Sequence, residues 1–322
     1  MGQASLRTDE LCQGALARSA DMPALSLADR ADRADRASRA GRAGMGLWSR
    51  LTSHRGGRLG LIIVLAYVAI AVAAPVVAPY PPGAVNLAAR LAPPAIRTGN
   101  FLGTDQLGRD ILSRIMHGAR VSMLVGLAAT SISAVLGVGL GVVAGYYGGV
   151  LDRALARFTE LLLAFPYLIF VIGAMSVMGP GFGNLVWALS FKGWVEFYRL
   201  SRALVMSEKN REYVEAARVL GRSDGAICVQ EILPNIAGSI LVLGTLRMGN
   251  MIVMESSLSF LGLGVPPRMP AWGSMINDGR RYMLTSPWVA TFPGLALALL
   301  VLGMNLLGEG LRDVLDPKIM EG

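Results

Sequence analysis

Charged residues are scarce in this sequence, and their scarcity excludes an ordinary soluble protein. Asp, Glu, Lys and Arg make up 16% of the 322 residues, whereas soluble domains carry about 25%. Hydrophobic residues account for 53%, and the mean hydropathy is positive. We therefore expect an integral membrane protein, and the length suits one domain with extensions.

Cysteine and histidine are also scarce, which argues against several structural and catalytic classes. Cys12 and Cys228 cannot form a disulfide framework, and neither has a metal ligand near it in sequence, so we expect two free thiols. His54 and His117 border apolar runs and belong to no HExxH or GxSxG motif. An intramembrane enzyme would need a nucleophile with its base, or a metal cluster. We therefore expect no catalytic residue and no metal site in this chain.

The excess of basic residues has two readings. A net charge of +8 would suit a nucleic-acid-binding protein. The arginines, however, cluster beside apolar runs, as the basic residues that set membrane topology do. We therefore expect the chain to contact membrane lipid and to have no nucleic-acid partner.

Apolar runs of about 20 residues, the length that crosses a bilayer, predict the spans. The run from Val121 to Tyr147 is uncharged and rich in Gly, Ala and Ser, the small residues that let transmembrane helices approach closely. Pro166 and Pro293 are expected to kink the spans that contain them. The six predicted spans are residues 59–79, 121–147, 161–180, 185–205, 236–264 and 289–309.

The predicted span 185–205 is ambiguous because it contains Lys192 and Glu196. Each costs about 2.5 to 3.5 kcal/mol near a bilayer centre, but their four-residue spacing places both on one helix face, where they can pair. If this segment spans, one side of the membrane receives more than twice as many Lys and Arg as the other. The positive-inside rule therefore favours six spans with both termini in the cytoplasm.

The remaining segments lie outside the spans. Residues 1–45 include repeats of Ala-Asp-Arg and have little to bury, so we expect a disordered cytoplasmic extension rather than an amphipathic or interaction arm. Residues 46–120 would hold the first span and an extracytoplasmic loop, and residues 121–309 the other five spans. The polar segment 206–234 would be a cytoplasmic loop, and 310–322 a cytoplasmic tail.

The polar segment has the pattern of a helix, a glycine turn and a second helix. One narrow apolar stripe recurs at i, i+3, i+4 and i+7 and comprises Tyr213, Ala216, Ala217 and Leu220. Gly221 follows at the position where a left-handed residue ends a helix. Ser223 is placed to cap the second helix and Pro234 to stop it. Spacing alone leaves open an ordinary amphipathic connector that lies on the membrane.

This segment resembles the "EAA" loop of ABC-importer permeases. The resemblance is carried by Glu215, Ala216 and Ala217, by Gly221 after three further residues, and by Leu233-Pro234. In that family the loop docks into a groove on a cytoplasmic ATPase. The resemblance implies that the ATPase-coupling residues here are Tyr213, Glu215, Ala216, Ala217, Leu220, Gly221, Leu233 and Pro234. The sequence departs from the motif at Glu231, where the family has an apolar residue.

Three further stretches resemble signatures of one branch, the C-type permease subunits of dipeptide, oligopeptide and nickel importers: "FLGTDQLGRDILSRIMHGARVSMLVG", "ESSLSFLGLGVPPRMPAWGSMI" and "NLLGEGLRDVLDPK". The resemblance implies an all-α polytopic membrane protein with six transmembrane helices, the type I ABC importer permease fold. It also implies a second related permease, two ATPase subunits that hold ATP and Mg, and an extracytoplasmic solute-binding protein, in the bacterial inner membrane. A GxxxxGK[ST] phosphate loop is absent from the sequence, as expected if the ATPase is another chain.

Ionisable residues inside the predicted spans have competing interpretations. Glu255 would line the translocation path, or it would pair with Arg247 or with nearby backbone in a structural role. Such residues also occur in ion-coupled secondary transporters and channels, which are the alternative function class. The resemblance implies a peptide as the commonest solute of the family, with nickel or another small solute as alternatives.

Overall fold

The computed structural model describes residues 55–96, 99–266 and 268–315. Within these ranges the protein is all-α, and extended pairing is limited to two isolated β-bridges. The helices are α1 (Arg55–Val77), α2 (Ile111–Tyr147), α3 (Gly149–Ala164), α4 (Tyr167–Met178), α5 (Phe182–Glu208), α6 (Glu212–Val219), α7 (Asp224–Phe260), α8 (Trp272–Gly279) and α9 (Trp288–Leu315). The predicted extension 1–45, Cys12 and most of the predicted tail lie outside the described residues.

The apolar helices agree with most of the predicted spans. In the described part of the chain, α1, α2, α7 and α9 are long and apolar enough to cross a bilayer, and the bent pair α3–α4 makes a fifth span if it counts as one. Helix α5 has 27 residues, a sufficient length, but its charges exclude it from this apolar set. The predicted span 185–205 is therefore helical, although its hydropathy alone does not place it across a membrane.

The predicted span 161–180 is wrong as a single helix. It is divided between α3 and α4, which meet at an angle of 89°. The cause is Pro166, which lacks an N–H and restricts the residue before it to extended conformations. Phe165 accordingly has φ −93° and ψ 135°. The expected kink is thus a complete break, and α4, with 12 residues, is about 18 Å long.

Helix α2 begins ten residues before its predicted span. Asp110 caps it, because its Oδ2 accepts hydrogen bonds from the backbone N–H of Ser113 (2.8 Å) and from the Ser113 hydroxyl (2.7 Å). The 37 residues of α2 are about 55 Å long. Since a bilayer core is about 30 Å thick, this helix extends well beyond it.

The loop before α2 is held together by Asp105. Its Oδ1 accepts from the backbone N–H of Arg109 at 2.9 Å, and its Oδ2 pairs with Arg109 Nε at 2.6 Å. Arg109 Nη2 also lies 3.6 Å from Asp278 Oδ2 on α8. Gly108 has φ +72°, and a Cβ there would overlap the carbonyl of Asn86. The stretch "FLGTDQLGRD" therefore has a structural role, which is to fasten this loop to α8.

Small residues bring α2 and α5 into close contact. A side chain at Gly137 would meet the backbone of Trp194, and one at Gly141 would meet the carbonyl of Tyr198. Large side chains from α5, including Phe197, fill the space that these glycines leave. The Gly- and Ala-rich composition of the second predicted span is thus used for helix packing.

Helix α7 is continuous from Asp224 to Phe260, so the prediction that Pro234 stops the second helix of the polar segment is wrong. Residues Ile227–Ile232 form a π-helical stretch, in which the N–H of Leu233 donates to the carbonyl of Cys228. Pro234 follows directly, near the start of the regular α-helix that ends at Phe260. Pro234 has no N–H to donate, and it is accommodated where the π-helical stretch shifts the hydrogen bonds of the helix.

Candidate coupling segment and polar groups within the spans

Helix α6 and the turn after it form the first half of the candidate coupling segment. Gly221 has φ +76°, the left-handed geometry that the sequence predicts. Its N–H donates to the carbonyl of Arg218 (2.9 Å), and the N–H of Arg222 donates to that of Ala217 (3.1 Å). This is a Schellman motif, which satisfies the last carbonyls of a helix and ends it. Glu215 lies in the first turn of α6, where a negative charge is favourable.

A short polar connection joins this turn to α7. Ser223 has an extended backbone and accepts a hydrogen bond from the N–H of Ala226 at 3.4 Å, so it caps α7 as predicted. The guanidinium of Arg222 pairs with Glu231 and also contacts Gln230. Glu231, where the sequence departs from the EAA motif, is therefore the charge partner of the turn. The departure adds a contact and leaves the helix intact.

The buried face of α6 differs from the predicted stripe. Val214 (fully buried) and Ala217 (6% exposed) face a cluster built by α5, α7 and the end of α2, which includes Ile227, Cys228, Ile232 and Ile236. Ala216 and Leu220, by contrast, are exposed, and so is Val219. The predicted stripe is therefore wrong in half of its members. Sequence reasoning missed Val214, although its apolar side chain three residues before Ala217 was a visible signal.

Polar contacts hold the segment to the ends of α2 and α5. The hydroxyl of Tyr146 donates to Asp224 Oδ1 (2.7 Å), and the guanidinium of Arg218 lies 5.4 Å from the centre of the Tyr146 ring. Tyr213 donates to Glu208 Oε2 (2.9 Å), and burial raises the pKa of the Tyr213 phenol above its usual value. Sequence reasoning missed Tyr146 because it is 78 residues away from Asp224 in the chain.

The last two predicted coupling residues lie on α7. Leu233 is partly buried against the same apolar cluster, whereas Pro234 is exposed. All eight predicted coupling residues therefore lie on α6, in its turn or on the first three turns of α7. Those with exposed side chains, together with Val219, form a surface that the rest of the described chain does not cover.

Glu255 lies in a buried cluster of serine hydroxyl groups. Its side chain is fully buried between α7 and α2. Hydroxyl groups of Ser122 (2.8 Å) and Ser256 (3.2 Å) donate to its Oε2, and that of Ser259 (2.7 Å) donates to its Oε1. The alternative in which Glu255 pairs with Arg247 is wrong. Three hydroxyl donors satisfy most of the acceptor capacity of this carboxyl group without a cation.

The ion pairs inside the spans also differ from those predicted. Arg247 on α7 pairs with Glu196 on α5. Lys192 does not pair with Glu196; its ammonium donates to the carbonyl of Phe165 at the α3–α4 break and lies 5.8 Å from the Tyr167 ring centre. The cation thus satisfies a carbonyl that the broken helix leaves free. Helical spacing places Lys192 and Glu196 on one face, but each has a better partner on another helix.

Comparison with known proteins identifies similar chains. Residues 137–321 match the family described as binding-protein-dependent transport system inner membrane component, and residues 45–94 match the N-terminal transmembrane domain of oligopeptide transport permease C. The dipeptide transport system permease protein of Haemophilus influenzae is 39% identical over 85% of this chain and 94% of that protein. The di/tripeptide transport system permease protein of Pseudomonas aeruginosa is 40% identical over 84% of this chain and 91% of that protein.

Similarity also extends to a relative named for another solute and to a solved structure. The glutathione transport system permease protein of Pectobacterium atrosepticum is 44% identical over 69% of this chain and 74% of that protein. An inward-facing structure of the MetNI methionine ABC transporter has a chain that is 16% identical, with a TM-score of 0.52. The match covers 63% of the present chain and 97% of the transporter chain.

Proposed function

The chain belongs to the family of binding-protein-dependent transport system inner membrane components, and from this premise we propose that it forms, with a second related permease, the membrane pathway of an ATP-driven peptide importer. It is a multi-pass inner-membrane protein with the type I ABC importer permease fold. The observation that carries the proposal is the direct connection of α6 to α7. Three residues, Leu220, Gly221 and Arg222, separate α6 from Ser223, the cap of a helix that runs to Phe260.

This connection is suited to transmit motion. Helix α6 packs on the apolar cluster through Val214 and Ala217 and is attached to α2 through Tyr146. Its turn contains one left-handed glycine and no flexible loop. A displacement of α6 by a partner would therefore move α7, which is about 55 Å long, and with it the region around Glu255. Packed helices transmit such shifts because their interfaces do not deform continuously.

The same surface supports an ATPase as a partner. The exposed side chains of Ala216, Val219 and Leu220 are apolar, and Glu215 adds a charge at the other end of the helix. An ATPase subunit that covers them would bury apolar area on a rigid helix. We infer two ATPase subunits with ATP and Mg, one for each permease, and a solute-binding protein on the opposite side of the membrane. Catalysis of ATP hydrolysis would then belong to the ATPases.

The transported solute is inferred from the relatives. Their names assign dipeptides, di- and tripeptides and glutathione to them, and these solutes share a peptide bond and free charged termini. We propose di- or oligopeptides as the solute class of this chain. The proposed topology has six spans, with α5 as the fourth, and both termini in the cytoplasm.

Reconstitution tests the function. The chain is co-expressed with its second permease, ATPases and binding protein, and uptake of labelled alanyl-alanine into proteoliposomes is measured. Uptake should require ATP on the side of the membrane that corresponds to the cytoplasm and loaded binding protein on the other side. Uptake that follows an ion gradient without the ATPases would instead support a secondary transporter or channel.

A further inference from the structure

A group of polar side chains lies exposed in the middle of α5 and α7. Glu196 is near the centre of the 27-residue α5, about 18 to 21 Å from its two ends. Its partner Arg247 lies 13 residues, or about 20 Å, before the end of α7 at Phe260. Since a bilayer core is about 30 Å thick, both charges lie near its midplane in the proposed topology.

These side chains face outward from the described chain. The side chains of Glu196 and Arg247 are each 36% exposed. Arg199 and Asn250 are exposed as well and stand three residues farther along the same two helices, so they share the face of the pair. The other cations of α5 are turned inward or paired: Lys192 contacts the Phe165 carbonyl, and Arg202 pairs with Asp152. We call Glu196, Arg199, Arg247 and Asn250 the polar face.

Lipid is an unsuitable neighbour for the polar face. A charged side chain at the bilayer centre costs about 2.5 to 3.5 kcal/mol even on insertion scales, and such residues face a bundle interior or a water-filled cavity. Helix α1 shows the contrast, because its exposed side chains, among them Val68 and Val72, are apolar. Water must therefore reach the polar face, or another chain must cover it.

The charges of the polar face favour an aqueous pathway over a covering helix. It contains two cations and one anion, and in the described part of the chain Arg199 has no hydrogen-bonding or ionic partner. A covering helix would have to bring a carboxylate for Arg199. A peptide brings its own, because its C-terminal carboxylate is ionised at neutral pH and guanidinium groups bind carboxylates through paired N–H donors.

We propose that the polar face lines the aqueous solute pathway, and that Arg199 and Arg247 bind the C-terminal carboxylate of a peptide in transit. Glu196 is a positioning residue, which orients Arg247. The inference rests on the proposed function, because it names the groups that contact the solute of that permease. Weak, half-exposed contacts suit a pathway, since a solute bound too tightly could not leave.

The first experiment measures whether water reaches the polar face. In the full transporter complex, with Cys12→Ser and Cys228→Ser in this chain, Asn250→Cys is treated with a charged methanethiosulfonate reagent, and Val68→Cys on α1 is the control. We expect Asn250→Cys to react at least about tenfold faster, because the reagent needs an aqueous route. Equal rates would mean that lipid or the second permease covers the face, and would overturn the inference.

The second experiment measures solute contact. Alanyl-alanine, delivered by loaded binding protein with ATP, should slow the modification of Asn250→Cys. Adding Arg199→Gln or Arg247→Gln should raise the peptide concentration needed for this protection about tenfold, which corresponds to about 1.4 kcal/mol. Arg247→Lys should restore part of it. Arg157→Gln, which removes an exposed arginine paired with Glu160 on α3, should leave protection unchanged.

The outcomes separate this inference from the proposed function. Protection that persists unchanged in both arginine variants would overturn the inference, even if the parent complex imports the peptide normally. Failure of the parent complex to import alanyl-alanine would instead overturn the proposed function and the inference that depends on it. Rescue of transport by the charge exchange Glu196→Arg with Arg247→Glu would also overturn the inference, because it would show that only the ion pair matters.

Discussion

The turn at Gly221 allows a sharp test of coupling, because a second glycine four residues later serves as a matched control. Gly221 has φ +76° and Gly225 is helical, and apart from the local backbone and adjacent residues no atom lies within 4 Å of the position that a Cβ would occupy at either residue. The same substitution, Gly→Ala, therefore adds a methyl group to open space in both cases. The two variants differ in backbone conformation alone.

The expected effects have opposite signs. At Gly221 an L-residue is held in the left-handed region, which costs about 1 to 2 kcal/mol, and Gly221→Val adds the cost of a β-branched side chain. At Gly225 the change should stabilise α7 by about 0.4 to 1 kcal/mol, because alanine is less flexible in the unfolded chain. A penalty of 1 to 2 kcal/mol lowers the population of the native turn by a factor of about 5 to 30.

The assay compares assembly with coupling. We expect Gly221→Val and Gly221→Ala to insert and to co-purify with the second permease, because Gly221 lies outside the packing of the membrane-embedded helices. Both should lose ATPase binding or the stimulation of ATP hydrolysis by loaded binding protein, and the loss should be smaller for the alanine variant. Gly225→Ala should behave like the parent. If Gly221→Val couples hydrolysis to uptake as Gly225→Ala does, α6 is only a connector and the reasoning is refuted.

Three further predictions concern other parts of the molecule. Ala216→Trp should fold normally and block ATPase docking, because Ala216 is exposed. Ala217→Trp should lower the free energy of unfolding of the purified permease by about 1 to 3 kcal/mol, because the larger side chain overpacks against Val214 and its neighbours; equal stability of the two variants would contradict the observed burial. Glu255→Gln should destabilise the α2–α7 contact by about 1 to 3 kcal/mol in denaturant titrations, because it replaces one of the two acceptor oxygens that serve three serine donors with an amide donor. Ser257→Ala is a control outside this cluster, and an unchanged midpoint would argue against the structural role. Reporter fusions after Asp224 and after Lys318 should both give a cytoplasmic signal, and a periplasmic signal from either would rule out the six-span topology.

The sequence by itself determined the features that depend on short stretches of chain. Apolar runs of sufficient length located α1, α2, α7 and α9, because a helix needs its backbone bonds satisfied within the segment. Gly221 and Ser223 marked the turn and the cap, since φ and capping preferences act within a few residues. The motif around Glu215 identified the family in the same way, through residues close together in the chain.

Only the tertiary structure decided which partner each side chain meets. Helical spacing suggested Lys192 with Glu196, but contacts with the Phe165 carbonyl and with Arg247 prevailed, because neighbouring helices bring those groups closer. The same reason explains why Ala217 is buried and Ala216 is exposed, although both fit an apolar stripe. A pattern along one helix shows which residues share a face, and the cluster that covers the face comes from segments distant in sequence. Pro234 stands inside a helix for a related reason: the π-helical stretch before it shifts the hydrogen bonds of α7, and no local rule predicts that shift.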